Sequence, residues 1–329
     1  MPALFNLLDV EKAYTLKRDA ALNRREAPTL KALDGVRLEV HEGESLALVG
    51  ESGSGKSTLL RVMLGLERPT NGRVLYRQSD MASMPDAERR RFRRDIAFIY
   101  QDARGSLNPR MRVAELISEP VLLHRLRDAD RVSARVDELL ERVGLPHRLR
   151  DVFPNELSGG QVRRVAVARA LAAKPRVIFA DEAVAGLDVS VQAQLLNLLR
   201  ALCGELGATL VFVTHDLGVA SFLCRRIAVM YLGKIVEQGP TAAILGGPQH
   251  PYTEGLLRAF PRFGVPLAAA LRGEIPSPID LPRGCRFAGR CESARTVCFD
   301  TDPALREQTT ERHVACHFPR GTGNAARAA

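Results

Sequence analysis

The most specific chemistry in this sequence sits in one short run, Gly50-Glu51-Ser52-Gly53-Ser54-Gly55-Lys56-Ser57, which fits the pattern G-x-x-x-x-G-K-[ST]. Its glycines let successive backbone N–H groups turn inward around phosphate oxygens. A helix opening directly after such a loop aims its positive end at the same anion. Lys56 can neutralise the β- and γ-phosphates, and the Ser57 hydroxyl can ligate Mg²⁺. A glycine-rich turn can match by chance, but here the apolar run Leu46 to Val49 precedes the loop and a helix from about Lys56 to Gly65 is predicted to follow it.

Two further segments carry reactive groups. Val177-Ile178-Phe179-Ala180 is an apolar strand that ends in the acids Asp181 and Glu182. On a parallel sheet, ligands lie beyond the carboxyl ends of the strands. Asp181 is therefore expected near the phosphate loop, holding Mg²⁺ through water, and Glu182 is expected to polarise a water that attacks the γ-phosphate. The alternative is a strand stopped by solvated acids. Leu157-Ser158-Gly159-Gly160-Gln161 precedes a helix predicted to begin near Val162, where a hydroxyl and free N–H groups can meet an anion or simply cap the helix.

The elements that must position these groups alternate between strand and helix. Leu7 to Val10 and Val36 to Val40 read as strands, with an exposed basic loop from Lys17 to Pro28 between them. Asp95 to Tyr100 reads as a buried strand. From Asp102 to about Leu157 the pattern turns helical: Val132, Val136, Leu139, Leu140 and Val143 recur at helical spacing before the stop residue Gly144. An Arg/Ala-rich helix to about Ala173, a helix Val189 to Cys203 and a strand Thr209 to Val213 follow. Arg226 to Glu237 reads as two strands joined at Leu232-Gly233. This alternation implies an α/β fold with a mostly parallel sheet covered by helices on both faces.

In this order the motifs resemble the ABC ATPase family from about Leu7 to Gly239. The resemblance implies a P-loop NTPase (RecA-like) core, an N-terminal antiparallel β subdomain and a helical subdomain at about 102–157. It implies that Tyr14 stacks on adenine and that Gly50, Glu51, Ser52, Gly53, Ser54, Gly55, Lys56, Ser57 and Thr58 bind the nucleotide. Ser57, Gln101 and Asp181 are then expected around Mg²⁺, with Glu182 and the switch residue His215 as catalytic groups. Ser158, Gly159, Gly160, Gln161 and Asp188, the last within Ala185-Gly186-Leu187-Asp188, are expected to serve the ATP of a second subunit in a head-to-tail dimer. The family usually follows the acid pair with Pro-Thr or Pro-Val; here Ala183-Val184 stands there, and both acids remain.

Ser106-Leu107-Asn108-Pro109-Arg110-Met111, Leu187-Asp188-Val189-Ser190-Val191-Gln192 and His250-Pro251-Tyr252-Thr253 resemble the peptide-transporter branch, specifically the second of its two ATPases. Nickel and glutathione importers share these motifs. The resemblance implies an ATPase that drives import of di- or oligopeptides at the cytoplasmic face of the membrane. Its expected partners are a second ABC ATPase in a heterodimer, two permease subunits and an extracytoplasmic binding protein.

Residues 1–245 are read as the nucleotide-binding domain and 246–329 as an appended, loop-rich extension. That extension holds Cys285, Cys291, Cys298 and Cys316 at spacings C-x5-C, C-x6-C and C-x17-C. Four thiolates can hold a [4Fe–4S] cluster or tetrahedral zinc, or remain unligated. The wide spacing favours iron–sulfur, and some peptide-transporter ATPases carry such a cluster. Cys203 and Cys224 lie in apolar surroundings and read as inert core thiols.

Composition narrows the classes further. No run approaches about 18 consecutive apolar residues, so no spanning helix is expected. The start, MPALFNLLDVEKAY, lacks a basic leader and its apolar run is broken by Asn6 and Asp9, so it does not read as a secretory signal. The net charge of +9 is concentrated in part at Arg89 to Arg94. No basic stretch interleaved with aromatics appears, so no nucleic-acid partner is expected. A soluble ABC ATPase acting on nucleic acid or ribosomes is the alternative of another class.

Overall fold

A computed structural model describes residues 3–16, 28–126, 129–259, 271, 273–309 and 311–321. The basic stretch at 17–27 lies outside the described residues. The chain divides into two compact units, one of Met1–His41, Leu46–Ser83 and Thr214–Ala329, the other of Glu42–Ser45 and Met84–Val213.

The first unit contains an antiparallel sheet with strand order Thr29–His41, Ala3–Thr15, Asn71–Tyr76, Ser79–Asp80. Alternation of apolar and charged residues along Val36 to Val40 puts Val36, Leu38 and Val40 in the core, all nearly inaccessible, while Arg37 and Glu39 face outward. The same unit holds the apolar strand Ser45–Val49, which pairs in parallel with Arg226–Tyr231. Arg226–Tyr231 turns at Leu232-Gly233 into the antiparallel strand Lys234–Pro240. Two short strands from the C-terminal extension, Arg306–Thr309 and Arg312–Val314, continue this sheet along Lys234–Pro240. Residues 306–314 therefore share a backbone ladder with Lys234–Pro240 inside the first unit. Tyr252 and Phe287 from the extension pack on Tyr231, with ring centroids 4.6 and 5.4 Å away.

In the second unit Ile96–Ile99, Val177–Asp181 and Thr209–Thr214 lie side by side in parallel. The Val177 to Ala180 run is fully buried, as expected for a parallel strand covered on both faces. The helical region consists of Ala103–Ser106, Val113–Leu123 and Ala129–Arg142, followed by short 3₁₀ turns. Val136, Leu139, Leu140 and Val143 form its buried stripe, and Gly144 ends it with φ +67°. Helix Gly159–Leu171 begins three residues before the expected Val162, and helix Val189–Leu206 runs one turn past the expected Cys203. In both cases the true boundary has its own chemistry: Ser158 caps the first, and Gly207, with φ +59°, closes the second. Among the described residues no helix is long and apolar enough to cross a membrane.

Candidate nucleotide site and cysteine-rich extension

In the first unit the loop from Gly50 to Ser57 joins the buried strand Ser45–Val49 to helix Lys56–Met63. Gly53 and Gly55 take φ +77° and +102°, conformations that cost little without a Cβ. Gly50 is held for a steric reason: a Cβ there would lie 2.2 Å from the Met230 carbonyl oxygen. Lys56 is buried, and its Nζ donates to the carbonyls of Gly50 and Glu51, both at 2.8 Å, so the cation lies curled within the loop. Ser57 is exposed at the first turn of the helix. Tyr14 ends strand Ala3–Thr15, where its hydroxyl donates to Glu67 and is hydrogen-bonded to the Thr58 side chain. Burial and the Glu67 carboxylate raise its pKa, so it stays protonated at neutral pH. His215, exposed, follows strand Thr209–Thr214 directly.

In the second unit Asp181 closes the strand Val177–Asp181, half-buried, with Glu182 next to it. Glu182 has φ +42°, a left-handed backbone that a side-chain-bearing residue adopts at a cost of about 1–3 kcal/mol. Two hydrogen bonds impose it: Glu182 N–H donates to Val213 O at 3.0 Å, and Ala185 N–H donates to Glu182 O at 2.9 Å. Gln101, two residues past strand Ile96–Ile99, donates from its amide to Glu182 Oε2 at 3.1 Å. The structure thus joins two residues that the sequence separates by 81 positions. Ser158 and Gln161 form a reciprocal capping box: Gln161 N–H donates to Ser158 Oγ at 3.3 Å, and Ser158 N–H donates to Gln161 Oε1 at 3.0 Å. Ser158 and Gly159 are exposed. Asp188 caps helix Val189–Leu206 by accepting from Val191 N–H at 2.9 Å. Both Ser158 and Asp188 therefore perform a local structural task.

Residues 33–185 match the family model described as ABC transporter, and 236–298 match the Oligopeptide/dipeptide transporter, C-terminal region. The chain is 41% identical over 319 residues to the oligopeptide transport ATP-binding protein OppF of Salmonella typhimurium, covering 95% of each chain. It is 39% identical over 316 residues to the dipeptide transport ATP-binding protein DppF of Haemophilus influenzae, covering 95% of this chain and 96% of that one. The ATP-binding cassette MJ0796, solved as a dimer bound to ADP and Pi, superposes with a TM-score of 0.63 at 33% identity, over 72% of this chain and 98% of that one. The chain belongs to the ABC transporter ATP-binding proteins.

Within this ABC ATPase, two positions near the expected site carried no sequence signal. Arg163, on the helix after Ser158, donates to the carbonyls of Ala183 and Ala185, each at 2.5 Å, and so pins the segment that follows the acid pair. Arg290, in the extension, forms an ion pair with Glu51 of the phosphate loop at 2.7 Å. Neither pair sits at a helix or strand spacing, so periodicity could not have found it.

The extension of the ABC ATPase brings Cys285, Cys291, Cys298 and Cys316 around one cavity, beside His250 and Phe287. None of these four, nor buried Cys203 or Cys224, forms a disulfide. Backbone N–H groups of Phe287, Ser293 and Phe318 donate to the sulfurs of Cys285, Cys291 and Cys316. Burial nevertheless dominates and raises all three thiols, Cys285 to about 11. Cys203 is pushed up to about 12 by burial alone, which fits an unreactive core thiol. Among the described residues no three His, Cys, Asp or Glu side chains are placed to grip a metal ion.

Proposed function

We propose that this chain is the ATP-hydrolysing subunit that powers an importer of di- or oligopeptides. The observation that carries the reading is the Gln101–Glu182 hydrogen bond, on a carboxylate whose backbone is held at φ +42°. Glu182 is the general base that takes a proton from the attacking water, and Gln101 orients its carboxylate. Lys56 and the N–H groups of the glycine-rich loop, Gly50 to Thr58, neutralise the phosphate charge, and Tyr14 receives the adenine. His215 stabilises the γ-phosphate. Ser57, Gln101 and Asp181 offer the hard oxygen donors that suit Mg²⁺. Mg²⁺, when bound, draws charge from the β- and γ-phosphate oxygens.

Exposed Ser158 and Gly159, with Gly160, Gln161 and Asp188, serve the nucleotide of a second ABC ATPase subunit, in a heterodimer closed by ATP. The helical region at 102–157 passes the motion to two permease subunits at the cytoplasmic face, and an extracytoplasmic binding protein selects the cargo. The peptide cargo rests on the likeness to OppF and DppF and on the match of 236–298. Reconstitution with the permease subunits and binding protein tests it: ATP should drive uptake of a labelled tripeptide into vesicles. Uptake of nickel or glutathione instead of peptide would reassign the cargo.

A second reading concerns the extension. The four cysteines share one cavity, and three of their sulfurs accept backbone N–H groups, the arrangement that stabilises thiolates on a metal. Cys285, Cys291, Cys298 and Cys316 are the residues that would hold a four-iron cluster. Such a cluster would act as a structural staple for the extension. Anaerobic purification with iron and sulfide analysis tests this: brown protein containing both supports it, and colourless iron-free protein rejects it.

A further inference from the structure

Every polar group of Glu51, inside the phosphate loop, is engaged. Its carbonyl accepts from Lys56 Nζ at 2.8 Å and from Ser54 N–H at 3.2 Å. Its N–H donates to the Tyr252 hydroxyl at 2.8 Å. Its carboxylate takes two hydrogen bonds from Arg290, Nη1 to Oε2 at 2.7 Å and Nη2 to Oε1 at 3.2 Å. Two of these partners belong to the extension. The Arg290 side chain is only 5% exposed, and its guanidinium also donates to the Tyr231 hydroxyl at 3.3 Å and lies over the Tyr231 and Phe287 rings.

The charge arrangement calls for explanation. A carboxylate within a loop that must receive a polyanion opposes binding, because like charges at short range repel. A bidentate, largely desolvated guanidinium cancels that charge and fixes the side chain in one orientation. Tyr252, whose ring is fully buried against Tyr231 and Phe287, fixes the backbone of the same residue. We propose that Arg290, assisted by Tyr252, is a positioning residue for ATP binding: the extension neutralises and clamps Glu51, so the phosphate loop is held ready for its anion. This rests on the ATPase assignment and extends it, because it gives the extension a part in nucleotide affinity.

The test is ATP binding and steady-state hydrolysis by the full-length chain with MgATP. Arg290→Gln should weaken ATP binding, and raise KM, roughly tenfold with kcat changed less than about twofold, the loss expected for one charge-assisted pair. Arg290→Lys keeps the charge without the fork and should stay within about threefold of wild type. Tyr252→Phe removes one hydroxyl from an intact ring and should weaken binding about twofold to threefold. A folded Arg290→Gln chain with wild-type ATP affinity overturns the proposal, as does equal weakening by Gln and Lys. Should Arg290→Gln not fold, Tyr252→Phe decides: unchanged affinity overturns the proposal and weakened affinity supports it. A wild-type chain that binds no ATP would overturn the ATPase assignment along with it, whereas unchanged variants beside an active wild type remove only the role of Arg290.

Discussion

At the scale of single residues, the site depends on side chains held where their intrinsic preferences would not put them. Glu182 keeps a left-handed backbone because Val213 and Ala185 each take one of its backbone groups. Gln101 then fixes the carboxylate. Gln101→Ala should lower kcat by roughly 10- to 100-fold while leaving Mg²⁺-free ATP affinity within a few-fold, since it removes the amide that orients the base; steady-state kinetics and nucleotide titration read the split. Lys56→Ala should abolish measurable ATP binding in a fluorescent-nucleotide titration, because it removes a buried cation held among the loop carbonyls. The phosphate loop and the acid pair were legible because their chemistry is contiguous in sequence. The family resemblance singled out Gln101 and Glu182 separately, but neither their hydrogen bond nor the Arg290–Glu51 pair was legible: 81 and 239 positions separate the partners, and only the fold brings them together.

At the scale of elements, alternation of apolar runs and stop signals was enough to read most strands and helices. Leu46 to Val49, Val177 to Ala180 and Thr209 to Val213 each fall within one residue of the observed strands. Helix ends were less legible because capping chemistry competes with periodicity. Gly159-Gly160 looks like a loop, yet the Ser158–Gln161 box closes a helical turn over it. Ser158→Ala should cost about 1 kcal/mol of stability by thermal denaturation, the ordinary worth of such a cap. The loss of turnover should be far larger than that if Ser158 also serves a second subunit's nucleotide. Strands Arg306–Thr309 and Arg312–Val314 were missed: they are short and polar, and they exist because Lys234–Pro240 offers an edge to pair with. Arg312 also reaches the fully buried Glu237 at 2.7 Å. Arg312→Ala should destabilise the chain by about 3–5 kcal/mol, measured by denaturant unfolding, because it removes the countercharge of a buried carboxylate that keeps its hydrogen bonds from Gln249 and His250 N–H.

At the scale of the whole molecule, the chain joins a nucleotide-binding cassette to an extension that shares its sheet, its aromatic core and its phosphate loop. The sequence marked the extension by its cysteines and its shift to Pro, Gly and Arg. Its attachment was hidden because the anchoring residues, Tyr252, Phe287 and Arg290, make contacts far along the chain. Under the proposed function the cassette is half of a hydrolytic machine, and the signature at Ser158 completes the site of another chain. Turnover per chain, measured with the partner ATPase present, should therefore fall as the mixture is diluted. The most direct test of the central claim is phosphate release from ATP by the wild-type chain and by Glu182→Gln at saturating nucleotide. Wild type should release phosphate in an Mg²⁺-dependent way, and Glu182→Gln at least about 100-fold more slowly, with ATP still bound. Equal rates for the two chains would contradict it.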